Sequence, residues 1–147
     1  MANRFWGEDT AVCETADTAY PGITDPVQMY EALTHVWCED TCAPRMRKDW
    51  SQDNMTLGQC SVTAFLVQDI FGGRVFGILL PDGNYHCFNE VGDVRFDLTS
   101  AQFPEGELDY SVFTEQFREV HFAGEEKRLR YELLKRKLKD HCMQANG

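Results

Sequence analysis

The sequence predicts an α+β protein in which helices come first, then an antiparallel meander, then helices again. Three observations carry this. An apolar stripe at helical spacing follows Asp25-Pro26, and a nearly all-apolar segment runs from Gln59 to Phe71. Three extended runs then follow one another, separated by turn residues.

Residues 1–23 show no clear periodicity and read as an irregular N-terminal arm with Trp6 and Tyr20 as anchors. Asp25 is placed to cap a helix, Pro26 suits its first turn, and Gln28 has capping-box spacing. Met29, Tyr30, Leu33, Val36 and Trp37 then recur on one face. Residues 38–58 are polar and charged and read mostly as loop. In Gln59–Phe71 the apolar residues cover nearly every side of a helix, which predicts burial in the middle of the domain. Gly72-Gly73 supplies its left-handed end. Arg74–Leu80, Asn84–Val91 and Asp93–Thr99 read as strands, with Pro81-Asp82-Gly83 and Val91-Gly92 as turns. Ser111–Val120 reads as a short helix with Phe113 and Phe117 on one side. Glu125–Cys142 reads as an amphipathic helix with Tyr131, Leu134, Leu138 and His141 on its stripe. The 147 residues are thus expected to form one domain: arm 1–23, core 25–103 and C-terminal helices 111–142.

Bulk composition narrows the function classes. With 24 acidic and 14 basic residues the net charge is −10, which repels phosphate backbones and anionic lipid. Neither nucleic acid nor a membrane is expected as a partner. No apolar run approaches the ~20 residues that span a bilayer, and Met1-Ala2-Asn3-Arg4-Phe5-Trp6 does not begin a secretory signal. A cytoplasmic location is expected, where the six cysteines stay reduced.

Chemistry concentrates around Cys60. It stands at the start of the buried helix, where unpaired N–H groups and the positive end of the helix dipole favour a thiolate. The same N–H groups suit the oxyanion of a tetrahedral intermediate. A tight hairpin turning on Val91-Gly92 pairs Glu90 with Asp93, and so His86 with Asp97, on one face of the sheet. A turn on Gly92-Asp93 would instead set His86 opposite Thr99. In the first register Asp97 orients the imidazole, whose other nitrogen is free to face Cys60. Blander readings exist for each residue. Cys60 serves equally as a small buried hydrophobe, His86 as a satisfied strand residue, and Asp97 as a cap for the Thr99-Ser100 turn. Asn89 is an alternative orienting residue, but strand alternation turns it to the opposite face. Gln59 either lines the cleft or is exposed filler.

The segments Gly58-Gln59-Cys60-Ser61-Val62-Thr63-Ala64, Phe71-Gly72-Gly73, His86-Cys87-Phe88-Asn89 and Phe96-Asp97-Leu98-Thr99-Ser100-Ala101-Gln102-Phe103 together resemble the YunG-like family of uncharacterised bacterial proteins. Trp37-Cys38-Glu39-Asp40-Thr41 is similar to an upstream tryptophan motif of that family. The resemblance spans roughly residues 30–103 and implies a papain-like or transglutaminase-like fold with Cys, His and Asp in that order. Cys38, Cys42 and Cys87 depart from the serine or aromatic residues expected there. Papain-like enzymes carry a glutamine about six residues before the nucleophile, and Asn54 holds that place here. The resemblance thus implies a thiol hydrolase or acyl-transfer enzyme with Cys60, His86 and Asp97 as catalytic residues. Gln59, Asn54 and Trp37 would stand at its oxyanion site or cleft. Its expected partner is a peptide, protein or small amide substrate; a non-catalytic binding module on the same fold is the alternative.

No cofactor is expected, because cysteine, histidine and aspartate supply nucleophile, base and orienter themselves. His35, Cys38 and Cys42 share a helical face, but no fourth ligand completes a zinc site. His141 and Cys142 read as packing near the end of the last helix.

Overall fold

The computed structural model describes residues 3–15 and 19–146. Residues 1–2 and 16–18 of the expected arm therefore lie outside the described ones. Asp25 caps α1 (Pro26–Leu33), its carboxylate accepting the Gln28 N–H at 2.8 Å. Gln28 Oε1 reaches back to the Thr24 N–H at 2.6 Å, so both free ends of the first turn are satisfied. The helix stops at Leu33, short of the apolar stripe. Val36 and Trp37 continue into the core through a turn in which the Trp37 N–H donates to the Leu33 carbonyl at 2.9 Å.

The 38–58 segment holds two short 3₁₀ turns, Glu39–Thr41 and Pro44–Asp49. It is drawn against the next helix by Gly58, whose carbonyl accepts the Ala43 N–H at 2.9 Å. Gly58 sits at φ 70°, and a Cβ there would lie 2.6 Å from Cys42 Sγ and 2.9 Å from the Ala43 nitrogen. Left-handed backbone and a clash with main chain both oppose a side chain. Gly58→Ala should lower stability by about 2 kcal/mol or more, read as an earlier midpoint in urea unfolding with unchanged slope. An unmoved midpoint would mean that the loop yields freely.

Helix α2 (Cys60–Phe71) is buried along both sides, with Val62, Phe65, Leu66 and Val67 wholly enclosed. Burial of each such side chain is worth about 1.5–3 kcal/mol. Packing therefore holds α2, and its first turn carries no capping side chain. Gly72 ends it at φ 82°.

The sheet has four antiparallel strands in the order β3-β2-β1-β4, with β1 Arg74–Leu79, β2 Tyr85–Val91, β3 Val94–Phe96 and β4 Thr114–Gln116. Two expectations are corrected here. The Ser111–Val120 helix is absent: Thr114–Gln116 pairs along the open edge of β1, and only α3 (Arg118–His121) is helical. Edge pairing with β1 overrides the helical spacing of Phe113 and Phe117; Phe113 packs on Phe76 and Phe88, whereas Phe117 is exposed. The β2–β3 register also differs, with Glu90 opposite Arg95 and Val91 opposite Val94, so the turn is Gly92-Asp93.

Helix α4 (Glu125–Asn146) buries Tyr131, Leu134, Leu138 and Cys142 against α2 and α1. The main core thus lies between the helices and one sheet face. On the other face Phe76, Ile78 and Phe88 are covered by Leu108, Tyr110 and Phe113.

Candidate active site

Cys60 opens α2, and its Sγ is 3.8 Å from the Tyr85 carbonyl at the start of β2. The next two residues of that strand are His86 and Cys87, and His86 lines the same cleft as Cys60. Cys60 is held well below the ordinary thiol range: the Cys87 thiol is the larger cause, burial opposes, and the hydrogen bond and charge of His86 add to it. The partner thiol moves the other way, because Cys87 keeps its proton to donate and is buried as well.

His86 is almost fully buried, with its Nε2 2.6 Å from Asp97 Oδ2. Burial alone would strip its proton. The charge and hydrogen bond of Asp97, with those of Cys60, outweigh burial and push its pKa up to about 10. Asp97 on one side and Cys60 on the other thus both favour the protonated ring. Phe103 packs edge-on against the ring at 4.9 Å.

Asp97 is reached despite the changed register. The observed β2–β3 ladder ends with Asn89 opposite Phe96, so neither His86 nor Asp97 is paired within it. Strand β3 stops at Phe96, and Asp97 bends away to pair with Trp6. Its carboxylate is saturated: Oδ2 takes His86 and the Tyr110 hydroxyl, each at 2.6 Å, while Oδ1 takes the Thr99 N–H at 3.1 Å and the Thr99 hydroxyl at 3.2 Å. One carboxylate thus both caps the Thr99-Ser100 turn and holds the histidine. Tyr110 is stacked on Trp6 with ring centroids 3.8 Å apart. Nothing in the sequence around Tyr110 signals this contact, since it depends on where a loop returns.

The other sequence candidates do not meet at this point. Trp37 is buried, donating through Nε1 to Thr63 Oγ1 at 3.0 Å, and lies in the core rather than the cleft. Gln59 is fully buried behind Cys60, its Nε2 donating to the Cys38 carbonyl at 3.0 Å. Its Oε1 has no partner among the described residues. Asn54 bridges to Ser51 within the loop and is not in the cleft lining. Asn89 points at α2, donating to the Ala64 carbonyl at 2.9 Å. None of Trp37, Gln59 and Asn54 lines the cleft that holds Cys60 and His86. Among the described residues no cluster of metal-binding side chains forms.

Cys60 and His86 open onto a cleft of about 590 Å³. A larger depression of about 700 Å³ follows Trp6 and Tyr110 and reaches neither Cys60 nor His86. The cleft's far wall comes from Gln116, His121 and Lys127, none of them singled out by sequence. Lys127 Nζ donates to His121 Nδ1 at 3.0 Å, so the His121 proton sits on Nε2 and goes to Gln116 Oε1 at 2.8 Å. Burial first, then the Lys127 charge, pushes His121 down to about 4, and it is neutral at pH 7.

Residues 25–143 match the family described as YunG protein. The chain belongs to the YunG family. One relative is the "Uncharacterized protein YunG" of Bacillus subtilis (strain 168), 41% identical over 54 residues. That stretch covers 37% of this chain and 46% of the relative, so the chain spans less than half the length of the YunG protein it matches. No solved structure matches. No helix among the described residues is long and apolar enough to cross a membrane.

Proposed function

We propose that the chain is a thiol hydrolase or acyl-transfer enzyme of papain-like or transglutaminase-like fold, acting on an amide or ester. Cys60 is the nucleophile, His86 the acid and base, and Asp97 the orienting group. The single observation behind this is that Cys60 and His86 line one cleft while Asp97 holds the far nitrogen of His86 at 2.6 Å. The thiolate attacks the acyl carbon, forming a C–S bond. The oxyanion meets the Cys60 and Ser61 N–H groups, which have no helical carbonyl to bond. His86 gives its Nδ1 proton to the leaving amine or alcohol as the thioester forms. Water or an amine then attacks, His86 takes its proton, and the C–S bond breaks. Asp97 keeps Nε2–H bound, so Nδ1 is always the nitrogen facing sulfur. A peptide, protein or small amide in the cytoplasm is the substrate this reading implies, with no cofactor.

Alkylation with iodoacetamide, mapped residue by residue, tests it. Cys60 should react at pH 6–7 at least tenfold faster than Cys13 and Cys38, which are partly exposed like it. The buried Cys42, Cys87 and Cys142 should be slower still. Equal rates at Cys60 and Cys38 would end the proposal.

A further inference from the structure

The wall of the cleft opposite His86 is built unlike the rest of the molecule. Acidic residues outnumber basic ones 24 to 14 in the chain, yet no aspartate or glutamate lines the cleft, whereas Arg45, Lys127 and Arg130 do. Arg130 is accounted for: it is 5% exposed, bonds Glu126 and donates to the Thr41 and Gly58 carbonyls. Lys127 is not. It is half-buried in the first turn of α4, where the helix dipole disfavours a cation. Its one hydrogen bond among the described residues goes to a neutral imidazole, and no carboxylate lies within ion-pair distance. Partly burying an ammonium costs free energy, and on the cleft side only the cysteine pair Cys87 and Cys60 offsets it, with no carboxylate there. At the rim Arg45 is exposed and makes no ion pair among the described residues.

We propose that Lys127, with Arg45 at the rim, forms an anion subsite beside Cys60, and that the acyl donor accepted there carries a carboxylate. This deepens the thiol reading and rests on it. The neutral His121 serves as a spacer: its Nε2–H is tied to Gln116 and its Nδ1 to the ammonium, which fixes Lys127 against the cleft wall. The remaining ammonium protons are free for a carboxylate. Acidic residues elsewhere on the surface turn anions away, so the positive wall acts only once a ligand has entered.

Two alkylating agents of similar size and opposite character read this directly. Iodoacetate carries a carboxylate and iodoacetamide does not; in both the Cys60 thiolate displaces iodide and forms a thioether. Their rate ratio at one sulfur cancels the fraction of thiolate present. In the full chain at low salt, the iodoacetate-to-iodoacetamide ratio at Cys60 should exceed that of a free cysteine thiol. Lys127→Gln should cut the ratio about fivefold, the scale of one partly screened charge. Lys127→Arg should retain it, and Arg45→Gln, on an exposed side chain, should cut it less. Added salt should erode the wild-type ratio. If Lys127→Gln slows both agents equally, Lys127 acts on the thiolate alone and the subsite is overturned. An unchanged ratio and unchanged rates overturn it too. Slow reaction of Cys60 with both agents in the wild type would instead defeat the enzyme reading, and the two failures are thereby told apart.

Discussion

His86→Ala should slow alkylation of Cys60 at pH 6 by on the order of 100-fold. The thiolate of the native protein is held by the Cys87 thiol and by the imidazolium. Without the imidazolium the sulfur returns towards the ordinary cysteine pKa of about 8.5, where only ~0.3% is ionised at pH 6. Cys87 and the helix start still assist, which is why the expected loss stays below the ~300-fold that full reversion implies. The variant should remain folded, because Asp97 keeps its bonds from Tyr110 and Thr99. The measurement is the pH midpoint of labelling, which should move upward. Asn89→Ala is the control: it removes a bond to the Ala64 carbonyl and should lower melting temperature without moving that midpoint. A midpoint that moves with Asn89 and not with His86 would remove the histidine from the mechanism.

Asp97→Asn should cost about 3 kcal/mol and lower the melting temperature by roughly 10 °C. This is the low end for breaking a buried ion pair, since the imidazole can release its proton. The loss should also depend on pH in a set way. His86 is raised from 6.5 to about 10, so its share of stability is whole below pH 6.5 and is lost as pH rises through 10. Cys60 is lowered from 9.0, so its share is whole above pH 9 and is lost as pH falls through its folded value. Above both pH 6.5 and the folded value of Cys60, and up to pH 9, the two slopes cancel, because folding there only moves a proton from sulfur to nitrogen. The melting difference between wild type and Asp97→Asn should therefore be flat over that span and shrink on both sides. A difference that grows steadily from pH 6 to pH 10 would contradict a coupled pair.

Much of this arrangement is legible in the sequence because it is local. The α2 boundaries follow from an apolar run closed by Gly72-Gly73, and the α1 start from Asp25-Pro26 with Gln28 in place. His86 and Asp97 share a face in either hairpin register, since the two differ by an even number of residues. What sequence pattern misses is set by returning chain. Thr114–Gln116 becomes a strand only because β1 offers an open edge. Tyr110 meets Asp97 only where a loop returns, and Lys127 reaches back to His121 across the turn between α3 and α4. Gln59 and Asn54 mislead for another reason: position relative to the cysteine says nothing of which way a side chain leaves the loop. Gln59 turns inward to Cys38.

The pairing of Trp6 with Asp97 also bears on the order in which the molecule is built. The Trp6 carbonyl accepts the Asp97 N–H at 2.9 Å, the Trp6 N–H donates to Ser100 Oγ across 94 residues, and its ring carries Tyr110. These are among the most distant contacts the chain makes, and closing so long a loop is entropically late work. On a ribosome the arm emerges early and waits until residues 97–110 follow. Helix α2 and the β1–β2 hairpin can meanwhile assemble from nearer neighbours. The carboxylate that orients His86 is thus fastened only once the arm and residues 97–110 have met across that loop.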